Sequence, residues 1–190
     1  MSRVIMNKKD LKYFLERDRI ALYKKDQKKP HIFGDEIWKY QILLRKLEYY
    51  SNTRKNKILR AFYSFRFHNI SLKLGFSIPI NIFGPGLSIA HYGTIVVNDN
   101  ASVGENCRIQ ENVTIGATNG ENTAPILGNN IFIGSGAKII GDISIVDNVC
   151  IGAGSVVVKD IVEESVTVAG VPSKIVGKNE NKNLCQDLFI

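Results

Sequence analysis

From residue 97 onward an apolar side chain returns every six residues. The first place of each six is Val97, Val103, Ile109, Ile115, Leu127, Ile133, Ile139, Ile145, Ile151 and Val157, with Glu121 the exception. The fifth place carries smaller or aliphatic residues: Ala101, Cys107, Val113, Ile131, Ala137, Ile143, Val149, Ser155 and Ile161. Neither the two-residue period of a half-buried strand nor the 3.6 of a helix gives this spacing. A short strand followed by a tight turn makes one flat side, and three sides close a coil of about 18 residues. Residues one coil apart then stack in buried columns, so stability accumulates from coil to coil. Gly and Asn between the apolar places supply the small or positive-φ residues that such turns require. A flat β-sandwich would alternate with period two and space its turns irregularly. The pattern predicts a mainly β chain, with a three-sided stack of six-residue strand-and-turn units from residue 97 onward.

Upstream the period changes. Leu11, Phe14 and Leu15, and then Ile37, Tyr40, Leu44 and Leu47, recur at three- and four-residue spacing. Phe62, Phe65 and Phe67 fit that spacing only in part. These sets predict helices over roughly residues 8–20, 35–51 and 55–72. Pro30 and Gly34 break the chain between the first two, and Asp35 is placed to cap the second. The organisation read from the chain is a helical segment over 1–75, the solenoid over 76–178, and a tail over 179–190.

Composition sharpens that division. Residues 1–75 hold 19 Lys and Arg against 7 Asp and Glu, whereas residues 76–190 hold 6 against 11, so a basic half meets an acidic one. A basic helical face can track phosphate, but no nucleic-acid-binding motif accompanies it, and no nucleic-acid partner is expected. The alternative is a solvated face, turned toward an anionic surface or an acidic substrate. His31 and His68 read as a loop and a helix residue without chemistry. Cys107, Cys150 and Cys185 have neither disulfide nor zinc spacing. No apolar run is long enough to span a membrane and no signal-peptide pattern opens the chain, so the expected location is cytoplasmic.

Irregularity in a repeat marks the place to look for chemistry. Two breaks stand out. His91 occupies a first place where an aliphatic residue belongs, and residues 116–127 (GATNGENTAPIL) skip one apolar place and should leave the prism as a loop. By position alone His91 is either a buried histidine capping the first regular coil or a general base, since imidazole titrates near neutral pH.

The segments IAHYGTIVV (89–97), NVTIGAT (112–118), IGSGAKIIGDI (133–143), IGAGSVVVKDI (151–161) and AGVPSKIVGK (169–178) resemble the hexapeptide-repeat acyltransferases, in particular serine acetyltransferases and their relatives. The resemblance spans just over half the chain. It implies a left-handed parallel β-helix and a homotrimer with acetyl-CoA in the groove between neighbouring prisms, and no metal. His91 matches the family's general base. Gly116 and Ala117 match the glycine pair whose backbone N–H groups would meet the developing oxyanion. The pantetheine arm would run along small residues, Gly134, Ser135, Gly136, Ala137, Gly152 and Ala153. Lys159 and Lys174 are candidates for the CoA phosphates, and AGVP (169–172) would turn the chain off the stack.

The departures bear on the acceptor. The places where the serine enzymes carry acidic residues before their histidine hold Phe76 and Ala90 here. Thr123 and Ala124 stand where the family has an arginine and a second histidine. A site for serine should pair both of the substrate's charges. The reading is therefore an acetyl-CoA-dependent O-acetyltransferase acting on a hydroxyl of a sugar or glycan precursor. A weaker likeness of residues 29–50 to polysaccharide-modifying acetyltransferases points the same way. The alternatives are a serine O-acetyltransferase and a non-catalytic trimeric scaffold. A metal enzyme would need histidines from adjacent coils, and only His91 lies in the repeat.

Overall fold

The computed structural model describes residues 4–118 and 122–178. The tail 179–190 with Cys185, and Glu121 of the loop, lie outside the described residues. Helix α1 (Lys8–Ala21) is capped by Asn7, whose side chain accepts from the N–H groups of Lys9 and Asp10 at 2.8 and 3.0 Å. Helix α2 spans Glu36–Thr53, and α3 (Lys57–Leu74) is capped by Asn56, which accepts from Leu59 N–H at 2.9 Å. These bounds lie within two residues of the expected ones.

Two helical expectations change. Asp35 holds the N-cap position of α2 but makes no side-chain cap bond. Its carboxylate instead meets Lys24 Nζ at 2.8 Å and the His31 Nδ1 and backbone N–H at 2.7 and 3.0 Å. Two charged or polar partners outbid one backbone amide. The phenylalanines of α3 fit a helical stripe poorly because the helix buries only Leu74. Phe67 stacks on Tyr40 with ring centroids 5.1 Å apart, whereas Phe62 and Phe65 are exposed.

Gly75 ends α3 at φ 76°, a left-handed turn suited to glycine, and the chain enters the solenoid at once. The first strands are β1 (Phe76–Ser77), β2 (Ser88–Ile89), β3 (Ile95–Val97), β4 (Ser102–Val103) and β5 (Arg108–Ile109). Next come β6 (Thr114–Gly116), β7 (Ile126–Leu127), β8 (Phe132–Ile133), β9 (Lys138–Ile140) and β10 (Ser144–Ile145). The last are β11 (Cys150–Ile151), β12 (Val156–Val157), β13 (Val166–Gly170) and β14 (Ser173–Lys178). They form three sheets, in the orders β1-β3-β6-β9-β12, β10-β7-β4 and β14-β13-β11-β8-β5-β2. These are the three faces of the prism, parallel except for the closing β13–β14 hairpin, whose turn is the AGVP segment.

The register carries the repeat. Ile133 pairs with Ile151 and Ile139 with Val157, 18 residues apart. Across the polar stretch after Gly116 the step is 24, as in Val103↔Leu127 and Ile115↔Ile139. The register thus holds six more residues between β6 and β7 than a regular coil does, and residues 119–121 of the expected loop lie outside the described residues. The ten aliphatic first-place residues from Val97 to Val157 and all the named fifth-place residues are buried. At one corner Asn106, Asn130 and Asn148 adopt φ near 60° and form a ladder, each amide donating to the next at 2.9 Å. Arg17 of α1 closes its top, with Nη2 2.7 Å from Asn106 Oδ1.

A buried cluster fastens the helices to the first coil. Arg45 donates to Asp18, Glu48 and the carbonyls of Phe83 and Gly84. Gln41 Nε2 donates to Leu87 O at 2.7 Å. Among the described residues no helix is long and apolar enough to cross a membrane.

Candidate active site

The prism has three corners, and every candidate residue can be placed by the corner it occupies. His91 lies in the turn between β2 and β3, and it is exposed. The sequence frame had put it in an inward place. In the structure the inward residues of this coil are Phe83, Ile89 and Ile95, and both Ile95 and Val97 of β3 face the interior. The repeat therefore slips by two residues at β3. The slip carries the imidazole to the outside of a corner, and the buried-histidine reading is not met.

The same corner descends through successive coils. Ala90 N–H donates to Ile109 O at 3.0 Å, extending the β2–β5 ladder and setting His91 above Glu111. Gly136 N–H donates to Glu111 O at 2.9 Å, and Gly154 N–H to Ser135 O at 2.8 Å. His91, Glu111, Ser135–Gly136 and Ala153–Gly154 thus form one column down the edge between two faces. Within it Ser135 Oγ donates to Glu111 Oε1 at 2.5 Å, and Ser135 N–H donates to Gln110 Oε1 at 3.1 Å. The Ser135 hydroxyl bond, then the residue's own backbone N–H, hold the Glu111 carboxyl below its ordinary range, and the nearby His91 charge adds to this. Among the described residues His91 has no hydrogen bond.

Of the expected cofactor contacts, Ser135, Gly136 and Ala153 belong to this column, whereas a Cβ on Gly152 would stand 3.1 Å from Ala169 Cβ of the next coil. Ala137 does not: it is fully buried in an inward place, so its methyl serves the core. Gly134 is buried too, and a Cβ there would stand 2.6 Å from Ala153 N. Glycine at 134 is required by the approach of two coils. Lys159 is exposed at a different corner, and Lys174 is exposed on β14.

Gly116 and Ala117 are not brought to His91. Gly116 ends β6, and its carbonyl accepts from Gly141 N–H at 2.9 Å. Both residues border an open cleft of about 520 Å³ with Pro79, Val96, Asn98 and Asp99. His91 precedes β3 and Gly116 closes β6, and those two strands belong to the same face. The two residues therefore stand at its opposite edges. The two larger clefts, of about 880 and 860 Å³, lie among the helices and include no residue of the His91 column.

The four places that depart from the serine enzymes carry no charge in three dimensions either. Phe76 is core, edge-on to Tyr40 at 5.0 Å, and Ala124 is buried. Ala90 is half-buried and Thr123 exposed. Glu111 was missed because it follows His91 by 20 residues, a step that matches neither the six-residue period nor the regular coil. Among the described residues no group of three or more His, Cys, Asp or Glu is placed to hold a metal.

No family model matches the chain. It is 42% identical over 113 residues to the serine acetyltransferase of Buchnera aphidicola subsp. Schizaphis graminum, covering 57% of this chain and 43% of that one. It is 40% identical over 95 residues to the Staphylococcus aureus serine acetyltransferase, covering 49% and 44%. The chain spans less than half the length of these curated relatives. Among solved structures, Neisseria gonorrhoeae serine acetyltransferase in complex with serine superposes with a TM-score of 0.62 at 30% identity, over 87% of this chain and 69% of that one. Brucella abortus serine acetyltransferase in complex with coenzyme A gives 0.66 at 26% identity, over 90% and 69%. These neighbours have the left-handed β-helix, and the described solenoid shares that fold. By its hexapeptide register, its three-sided prism and these likenesses, the chain belongs to the serine acetyltransferase-like family of hexapeptide-repeat acyltransferases.

Proposed function

We propose that this chain is an O-acetyltransferase that takes its acyl group from acetyl-CoA and uses His91 as the general base. The observation that carries the reading is the exposed imidazole at the head of a corner column whose lower part is built from Ser135, Gly136 and Ala153. Small residues there let an extended thiol-bearing arm approach the backbone, so the wall fits such a cofactor. Lys159 and Lys174 remain candidates for its phosphates. When bound, acetyl-CoA supplies an acyl group activated as a thioester.

The chain's part in the reaction follows from elementary acid–base chemistry. A hydroxyl titrates far above neutrality and attacks a thioester poorly while it keeps its proton. A neutral His91 nitrogen accepts that proton as the new ester bond forms, and the imidazolium then returns it to the leaving sulfur. Negative charge developing on the acyl oxygen needs donors already in place, the role assigned to the backbone around Gly116 and Ala117. These groups lie at the far edge of the face from His91. A complete site therefore calls for a neighbouring prism, and we propose a homotrimer in which one copy supplies His91 and the next supplies the Gly116 corner.

The comparisons support serine as acceptor over the sugar or glycan hydroxyl expected from the sequence. The relatives and neighbours compared above are serine acetyltransferases, one of them in complex with serine. No support for a role in polysaccharide synthesis comes from them. The observation that keeps a neutral hydroxyl in play is the absence of charge at Phe76, Ala90, Thr123 and Ala124. Turnover of acetyl-CoA with serine, beside a panel of sugars, separates the two acceptors. Loss of turnover in His91→Ala is expected, and equal rates would remove His91 from the mechanism. A trimeric scaffold without catalysis predicts no heat of CoA binding on titration.

A further inference from the structure

We propose that Glu111 is the positioning residue for His91: its free carboxylate oxygen accepts the Nδ1–H of the imidazole and so leaves Nε2 unprotonated toward the acceptor hydroxyl. The inference rests on the acyltransferase reading of His91 and adds to it the group that sets the ring's tautomer.

Three observations carry it. The first is register. The β2–β5 pairing runs Ser88↔Arg108 and Ile89↔Ile109, and the Ala90 N–H bond to Ile109 O continues it, so residue 91 stands over residue 111. Close packing follows from this, since a Cβ on Gly93 would lie 3.0 Å from the Cβ of Glu111. The second is the way the carboxylate is held. Ser135 Oγ binds Oε1 at 2.5 Å from the coil below, and Gly136 N–H binds the same residue's carbonyl at 2.9 Å. The side chain is clamped from beneath and cannot swing to solvent without breaking a short bond.

The third is an unspent acceptor. Glu111 Oε2 is shielded from solvent and has no hydrogen-bond partner, although a buried carboxylate oxygen is costly to leave unpaired. His91 is an electrostatic neighbour of this carboxylate, and its own nitrogens have no hydrogen-bond partner among the described residues. A donor without an acceptor and an acceptor without a donor are stacked on one corner, and the ring is exposed. The arrangement has the logic of a base oriented by a third group, with Ser135 orienting the carboxylate in turn. No proton passes to Glu111. Nε2 takes the hydroxyl proton, and the carboxylate stabilises the imidazolium that results.

The test separates this assignment from the function it rests on. The chain has three histidines, so imidazole nitrogen resonances can be assigned with His91→Ala, with His31 and His68 as internal controls. In the wild-type chain neutral His91 is expected in the Nδ1–H form. Glu111→Ala should shift it toward Nε2–H without moving the two controls, and Glu111→Gln, which keeps an acceptor, should retain part of the bias. An unchanged His91 tautomer in Glu111→Ala overturns the proposal whether or not the protein turns over acetyl-CoA. In the acetyl-transfer assay Glu111→Ala should lower kcat by on the order of 10-fold or more with KM little changed. Wild-type protein inert toward every acceptor would overturn the acyltransferase reading, while the tautomer measurement would still decide the role of Glu111. Full activity in Glu111→Ala beside an inactive His91→Ala would overturn the positioning role alone.

Discussion

Arg45 and Asp18 form an ion pair with no access to water, Nε to Oδ2 at 2.7 Å, and each partner also holds the first coil of the solenoid. Arg45 reaches the carbonyls of Phe83 and Gly84 at 2.8 and 2.7 Å, while Asp18 Oδ1 accepts from Gly86 and Leu87 N–H, both at 2.9 Å. The open end of a β-helix presents unpaired backbone groups. Here a charged pair from two helices meets them, so the basic segment serves as the cap of the stack.

Removing Arg45 would strand Asp18 and Glu48 as buried carboxylates. Arg45→Met should lower unfolding free energy by about 3–5 kcal/mol, measured by urea denaturation, because one partner of a buried pair is removed. A combined Arg45→Met, Asp18→Asn, Glu48→Gln chain should lose less than the single variant, since no stranded charge remains.

Asp35 makes stability depend on pH at the acid end. Lys24, then the backbone N–H and ring of His31, hold its carboxyl at about 2, against an unfolded value near 3.9. A depressed carboxylate stabilises the fold fully above the unfolded value, and that contribution is lost as pH falls toward the folded one. Between about pH 5 and pH 2 the wild-type chain should lose on the order of 1 kcal/mol more than Asp35→Asn, the figure being reduced for partial exposure. Parallel urea titrations across that range measure the difference.

At Gly134 the coils touch backbone to backbone. Gly134→Ala places a Cβ 2.6 Å from Ala153 N and 3.0 Å from its Cα. Neither atom can rotate away, so a loss of about 1–3 kcal/mol is expected from overpacking, read as a lower Tm. Gly154→Ala meets no neighbour, but it sits at φ 66° and should cost less, through backbone strain alone.

The separation of His91 from Gly116 makes a prediction about assembly. If the site forms between copies, an inactive His91→Ala chain and a chain inactivated by Gly116→Val should restore activity when refolded together. For random mixing in a trimer, about a quarter of the sites receive both intact corners. No recovery in mixed trimers would place the working site within a single chain.

Much of the fold could be read from spacing because each inward place of a hexapeptide coil accepts only an apolar side chain. Ile109, Ile133 and Ile151 occupy one such column, and every member is buried. Helix ends were nearly as legible from the three- and four-residue spacing, which came within two residues of Lys8–Ala21, Glu36–Thr53 and Lys57–Leu74. Asp35 was not, because its cap role lost to Lys24 and His31, which the chain brings close only after it has folded. Ala137 was misjudged for a related reason: its small size suited a cofactor wall, yet its place in the six points inward.

What the sequence determined by itself, then, was the period, the three-sided architecture and the family, since burial in a repeat depends on residue type and spacing alone. What only the tertiary structure decided was phase and neighbourhood. A slip of two residues at β3 turned His91 outward. Stacking of coils set Glu111 and Ser135 beneath it, and the width of one face separated it from Gly116. Each of these depends on how unequal coils pack on one another, and the first coils, crossed by the helices, do not keep the regular step.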